Sequence, residues 1–417
     1  MAAAEKELST DICIVGGGPA GLALALLLLK SGVRVTLLER AVSLDREFRG
    51  EILQPGGMAV LDGLGVLDAA RSRGAYQLDR FQLTSDDRIL LNIDYRQLGA
   101  PYDHLLSIPQ PHLLTELLAH CQERDGFHYL SGTRASELLR QGERVIGVVG
   151  RSGDGTRWRV RAHCVVGADG RYSKVRQLAG IATDRIDMFD QDVLWCRIKA
   201  PGRRTGAVRI HRSTASPVLL YDSYPDCLQI GWTLPHGGYR EVVDRGVDAV
   251  RSELTRALPS YADLINAQIT DMKDFTLLDV FACTARQWSV DGLVLIGDSA
   301  HTHSPLGAQG INLALQDAAL LHPILVESLA VGDASADFLD QFAQRRRPDI
   351  DRVMKVQQMQ SKGMLSRSPV ADFIRPKAAK LISRTPIGKK ITKMIAFGPT
   401  PVHVRQDLFV SVTSGRR

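Results

Sequence analysis

Residues 11–39 read DICIVGGGPAGLALALLLLKSGVRVTLLE. A β-rich run over 11–15 meets a glycine turn at 16–21, a helical period follows over 22–30, and residues 33–38 are β-rich again. That order predicts one strand–helix–strand unit. Gly16, Gly18 and Gly21 give the spacing G-x-G-x-x-G, with Pro19 and Ala20 between the last two. Gly16 permits the sharp turn, Gly18 lets main chain approach a diphosphate, and Gly21 lets helix and strand pack closely. The diphosphate would lie on the helix N-terminus, where free N–H groups and the helix dipole favour an anion. Glu39 closes the second strand, in position to accept hydrogen bonds from an adenosine ribose diol and to repel a 2′-phosphate. The segment predicts a site for FAD or NAD rather than NADP.

Outward from this unit, residues 50–70 alternate turn signals with a short apolar helix, 76–108 alternate like strands, and 111–124 return to a helical period. A hairpin from Val145, turning at Gly153-Asp154-Gly155, leads into an apolar strand at 163–166 and the turn Gly167-Ala168-Asp169-Gly170. Residues 193–234 hold strands at 208–211, 218–221 and 228–234 with no helix between them, which predicts a separate antiparallel sheet. A buried strand at 292–296, a loop at 297–310 and a long apolar helix at 311–329 complete the pattern. The fold class expected is α/β: a Rossmann-like FAD-binding domain (1–75, 110–180 and 285–340) interleaved with an antiparallel-sheet substrate domain (76–109 and 181–284). A basic helical C-terminal segment (341–417) follows.

The bulk composition supports a globular chain with a large core: 417 residues, 44% of them hydrophobic and 24% charged. Six scattered cysteines show neither metal spacing nor disulfide clustering, which fits a reducing cytoplasm. Charged residues at 5–7 and glycines at 16–21 interrupt any leader or span at the N-terminus. The charge is uneven, since residues 345–417 carry 17 Lys/Arg against 4 Asp/Glu, leaving the rest of the chain net acidic. A basic end of this kind suits an anionic membrane surface or nucleic acid. Prolines divide it and no aromatic residues alternate with the charges, so nucleic acid is not expected, while peripheral membrane contact stays open. Its apolar residues suffice to lie on the substrate side, with Lys and Arg facing water.

The loop after the last strand begins Gly297-Asp298-Ser299-Ala300-His301 and continues through Pro305 to Asn312. Asp298 suits a polyol such as ribityl, and the loop's N–H groups with the following helix N-terminus suit the negative charge of a reduced isoalloxazine. His301 and His303 have no third ligand at metal spacing, so they are expected to support the loop and no metal is expected.

Residues 16–21 with Glu39, Gly167-Ala168-Asp169-Gly170 with Arg176, and residues 297–312 resemble, in order and separation, the three fingerprints of the class A flavoprotein monooxygenases, the p-hydroxybenzoate hydroxylase-like group with the ubiquinone-type hydroxylases. The resemblance covers roughly residues 8–340. It implies FAD contacts from Glu39 with Arg40 beside it, from Arg49, Gln110, Asp169 and Asp298, and from Gly310, Ile311 and Asn312. It also implies NADH or NADPH as co-substrate without a domain of its own, and transfer of the distal oxygen of a C4a-hydroperoxyflavin to an aromatic, polyketide-like or other hydrophobic small molecule. The segment 50–57 is similar to that of squalene monooxygenases, which leaves epoxidation open beside hydroxylation. Arg209, His211, Tyr221 and Trp232, on the sheet expected to cover the flavin, and Pro305 at its face are the substrate-side candidates. The alternatives are a flavin-dependent halogenase, whose tryptophan motif is half present at 230–235 but whose lysine has no counterpart, and a non-catalytic FAD-binding protein.

Overall fold

Four parallel strands bring three glycine-containing turns to one edge of a sheet. In a computed structural model, which describes residues 5–44, 50–85, 88–186, 191–212, 216–365 and 386–411, the first strand is Glu5–Val15. It lies between Val35–Leu38 and Arg157–Gly167, and Leu293–Leu295 joins the far side of the latter. The register puts Val15 level with Leu38 and with Gly167, and Gly167 level with Leu295. The chain therefore leaves all four strands at the same edge, where α/β sheets place ligands.

The helix Pro19–Lys30 is apolar around its whole circumference and buried around it, packed among the helices Gln110–Gln122 and Gly310–Val331. Gly310–Val331 is long and apolar enough to cross a bilayer, yet most of its side chains are buried inside the protein, which is the use of a core helix. The expected hairpin is present: Arg144–Ser152 returns as Arg157–Gly167, with Ser152 N–H donating to Thr156 O at 3.0 Å. Thr133–Gln141 pairs outside it, a strand the sequence pattern did not signal.

The second large sheet has seven strands. Its order is Thr276–Leu278, Gln191–Lys199, Cys227–Pro235, Val218–Ser223, Ala207–Arg212, Arg80–Ser85 and Arg88–Asp94. One pair departs from the antiparallel expectation, because Ala207–Arg212 runs parallel to Arg80–Ser85. Hairpins impose antiparallel pairing; these two strands are joined by more than a hundred residues, so no hairpin sets their direction. One face of this sheet packs on the helices Val247–Ala257 and Ala262–Gln268 through Leu194, Ile230, Trp232, Val250, Leu254 and Ile265. The other faces the fingerprint loops.

At the C-terminal end, Gln341–Leu365 packs on Gly310–Val331, and Pro386–Phe397 lies on Pro55–Leu64. Lys389, Lys390 and Lys393 face outward while Thr392 and Ala396 are buried, as an amphipathic cover requires. The segment's apolar residues Phe373, Ile374, Leu381 and Ile382 lie outside the described residues.

Candidate functional site

A single cavity of about 890 Å³ runs from the strand edge to the open face of the seven-stranded sheet. At its first end stand Gly16, Gly18, Glu39 and Arg40; in the middle, Asp169, Gly170, Gly297 and Asp298; at the far end, Phe81, Trp195, Val208, Leu219 and Tyr221.

The glycines divide as their spacing predicts. Gly16 has φ +112, and a Cβ there would stand 2.3 Å from the Ala168 carbonyl oxygen, so the first two turns pass too close for any side chain. A Cβ on Gly18 would meet nothing within 4 Å, because that position opens into the cavity. Gly18 caps Pro19–Lys30 with no side-chain hydrogen bond, which leaves the first-turn N–H groups for a ligand. The helix Gly310–Val331 also begins uncapped on the same cavity. Two bare helix N-termini at one cavity, spanned by a row of polar groups, fit FAD: diphosphate at the first, the polar edge of the isoalloxazine at the second.

Glu39 lines the cavity but is not idle in the protein itself. Its Oε2 accepts from Gly17 N–H at 2.6 Å and its Oε1 from Ala41 N–H at 2.8 Å. A carboxylate has about four acceptor sites, and this one stands on the cavity wall where a ribose diol can reach it. Glu39→Ala is expected to lower FAD affinity roughly ten- to a hundredfold, the loss of about 1.5–3 kcal/mol of charged hydrogen bonding. Titration of apoprotein with FAD, followed by flavin fluorescence, checks this; unchanged affinity would move the ribose away from Glu39.

The other expected cofactor residues separate into those at the cavity and those behind it. Pro19, Ala20, Gln110, Gly310 and Ile311 line it. Asp169 reaches it with oxygens that already accept from Ser173 Oγ, Ser299 Oγ and the N–H groups of Lys174 and Val175. Arg176 ties this turn to the last loop by donating to Ser299 O at 2.7 Å. Asp298 stands at the wall, 3.8 Å from Arg171 Nε. Gly21 and Asn312 stand behind the wall. Asn312 spends its side-chain amide on the protein, accepting from Gln54 N–H at 2.8 Å and donating to Ala308 O at 2.7 Å, which holds the loop. Arg49 lies outside the described residues.

On the substrate side the expected face is partly corrected. Tyr221 and Pro305 line the cavity; Arg209, His211 and Trp232 do not. Val208 and Ile210 are the residues of that strand which face it, and Arg209 turns away to donate to Gln82 Oε1 while His211 meets Thr84 Oγ1 at 3.0 Å. Trp232 packs under the helices, whereas Gln229 and Thr233 of its strand face the cavity. Sequence reading also missed Gln54 and Tyr95. Tyr95 OH donates to Gln54 Oε1 at 3.1 Å and Gln54 Nε2 to Gly307 O at 2.9 Å, a chain that fixes the last loop. Only the strand parity of 88–94 and the helix start at Pro55 hinted at either.

His301 and His303 do support the loop, through a buried relay. His303 at the cavity meets His301 Nδ1 at 2.8 Å, and His301 Nε2 meets Asp317 Oδ2 at 2.7 Å. Arg346 donates to Asp317 Oδ1 at 2.7 Å from the helix Gln341–Leu365. Burial, with His301 beside it, holds His303 well below the usual imidazole range and therefore neutral. Among the described residues one cluster has metal-ligating types close together, Asp192, His236 and Asp279; Asp192 already accepts from His236 Nδ1, Gly237 N–H and Val280 N–H.

With this geometry in hand, the comparisons are consistent with one another. A family model described as FAD binding domain matches residues 9–357. The chain is 57% identical over 401 residues to 6-methylpretetramide 4-monooxygenase of Streptomyces rimosus, covering 96% of this chain and 95% of that one. It is 25% identical over 409 residues to 3-demethoxyubiquinol 3-hydroxylase of Escherichia coli (strain K12), covering 93% and 98%. The crystal structure of p-nitrophenol 4-monooxygenase from Pseudomonas putida DLL-E4 superposes with a TM-score of 0.78 at 19% identity, over 95% of this chain and all of that one.

Proposed function

We take as premise that the chain belongs to the class A flavoprotein monooxygenases, FAD-dependent enzymes that use NAD(P)H and O₂, and we propose that it hydroxylates an aromatic polyketide of the methylpretetramide kind. The observation that carries the proposal is the continuity of the cavity: the uncapped helix N-termini and the aromatic-lined chamber share one space. Bound FAD, reduced by NAD(P)H, supplies activated oxygen, and the protein supplies position and dryness. Phe81, Trp195, Val208, Leu219 and Tyr221 give a flat aromatic substrate apolar walls. Ile395 of Pro386–Phe397 closes one side, and Gln309 Nε2 pins that helix by donating to Ile395 O at 2.9 Å, which keeps bulk water out of the chamber. Pro305 and Gly307 form the loop between chamber and helix end, so the substrate ring is held against that loop.

We read Gly18, Glu39, Asp298, Gly310 and Ile311 as the residues in contact with FAD, and residues 1–75, 110–180 and 285–340 as the part that holds it. Support comes from the sheets, since the mixed eight-stranded sheet is built wholly from these segments while 76–109 and 181–284 supply the seven strands above the chamber; two small three-stranded sheets join the two parts. A cytoplasmic site of action agrees with six cysteines that are all free. The halogenase reading is disfavoured by the wall itself, where Lys174 is the lysine present among the described residues, and it stands beside Asp169 rather than on the sheet. Turnover with ¹⁸O₂ in high bromide tests the proposal by mass spectrometry. One labelled oxygen per product and no bromine is expected; a brominated product dependent on FAD and O₂ would replace hydroxylation by halogenation.

A further inference from the structure

Among the apolar walls of the chamber one carboxyl group is buried. Glu51 lines the cavity at 6% exposure, beside Tyr221. Ser223 Oγ donates to its Oε2 at 2.8 Å and Gln229 Nε2 to its Oε1 at 3.3 Å, and both partners are buried as well. Tyr221 and Gln229 are cross-strand neighbours, so they present side chains on the same face of the sheet.

Two features make this more than internal hydrogen bonding. No cation pairs directly with the carboxylate among the described residues; the charged and titratable groups that face it are Arg197 from Gln191–Lys199, His112 from Gln110–Gln122 and Tyr221 from Val218–Ser223. The cluster is also short of a donor, because Gln229 Oε1 is buried without a partner while the Glu51 oxygens have acceptor sites left. Buried acceptors in excess of donors are costly unless a ligand completes them. In an aromatic chamber the fitting donor is a hydroxyl on the ring system.

We propose that Glu51 is a catalytic residue that recognises a phenolic hydroxyl of the substrate and accepts its proton. The O–H bond breaks, an Oε–H bond forms on Glu51, and the electron pair stays on the phenolate oxygen, so the negative charge passes from carboxylate to substrate. The ring becomes richer in electrons, as attack on an electrophilic oxygen requires. Burial raises the Glu51 carboxyl above the usual carboxylate range against the pull of Ser223, Arg197 and Gln229, which makes it a better base than an exposed glutamate. The inference rests on the reading of this chamber as the site of an aromatic substrate.

The test uses the FAD-loaded enzyme with 1-naphthol and 1-methoxynaphthalene as probes. Wild type is expected to bind the naphthol about tenfold or more tightly than the ether, the worth of one hydrogen bond to a charged acceptor. Bound naphthol should show the naphtholate absorption band at a pH where the free compound is neutral. Glu51→Gln should keep its FAD and its melting temperature yet lose both the preference and the band. Ser223→Ala guards against misfolding of that variant: it removes a bond that holds the carboxylate down, so the pH at which naphthol preference sets in should rise. Equal affinity of wild type for both probes, no binding of either, or a preference and pH onset untouched by both substitutions would overturn the proposal. Preference without any ¹⁸O incorporation would instead sink the hydroxylase reading alone.

Discussion

Replacing Arg346 by Met is expected to destabilise the fold by roughly 3–5 kcal/mol, the usual cost of removing one partner of a buried ion pair. Arg346 and Asp317 are both fully buried, and each is tied elsewhere. Arg346 Nη2 donates to Gln316 Oε1 at 3.0 Å, while Asp317 Oδ2 accepts from Gly297 N–H at 2.8 Å and meets His301 Nε2. Without the guanidinium, Asp317 keeps its charge in the core beside neighbours that cannot follow it to water. Burial alone would raise the Asp317 carboxyl; His301 and Arg346 outweigh it and bring it down to about 2. A folded value depressed below the unfolded one, about 3.9, means stability present above pH 4 and lost as pH falls towards 2. Urea unfolding should therefore show a large gap between wild type and Asp317→Asn at neutral pH, closing over that window. A variant Arg346→Met as stable as wild type would show that the pair merely breaks even in the core.

The same network shows where sequence reading ends. The fingerprints were legible because each depends on local chemistry: a glycine where a Cβ would strike backbone, an acid at a strand end, a helix beginning without a cap. Their convergence follows from parallel pairing, which puts Val15, Leu38, Gly167 and Leu295 level. Partners far apart in sequence were not legible, since Asp317 and Arg346 lie on separate helices and nothing in either period marks their meeting. Face assignment failed for a related reason. Period two says that Arg209 and His211 share a face of their strand, but not which face, and polar residues were assigned to a chamber that Val208 and Ile210 line. Both faces of that sheet are covered, one by helices and one by the cavity, so polarity does not distinguish them. The parallel docking of Arg80–Ser85 against Ala207–Arg212 is long-range in the same sense.

Two substitutions in the first turn should separate folding from cofactor binding. Gly21→Ala would put a Cβ 1.9 Å from the Gly16 carbonyl oxygen and 3.3 Å from Ile14 Cγ2. The obstacle is backbone, and Gly16 cannot retreat easily, because its N–H donates to Leu38 O at 2.8 Å and the Ala168 carbonyl presses from the other side. Relief requires prising the helix Pro19–Lys30 off the strand it packs on, in the most deeply buried part of the core. The cost should be on the order of 3 kcal/mol or more, and little folded protein is expected at 37 °C. Gly18 presents the opposite case. Its backbone is ordinary extended chain, φ −85 and ψ −174, and its Cβ direction is empty for 4 Å. Gly18→Val should thus leave unfolding in urea within about 0.5 kcal/mol of wild type for the apoprotein. The isopropyl group would fill the space in which the backbone has to approach the diphosphate, an overpacking cost of roughly 1–3 kcal/mol that is felt only when FAD is bound. FAD affinity is then expected to fall about ten- to a hundredfold with the fold intact, read by isothermal titration of the apoprotein. Wild-type affinity in Gly18→Val would place the diphosphate away from this helix end, and wild-type stability in Gly21→Ala would mean that the turn can yield where its contacts say it cannot.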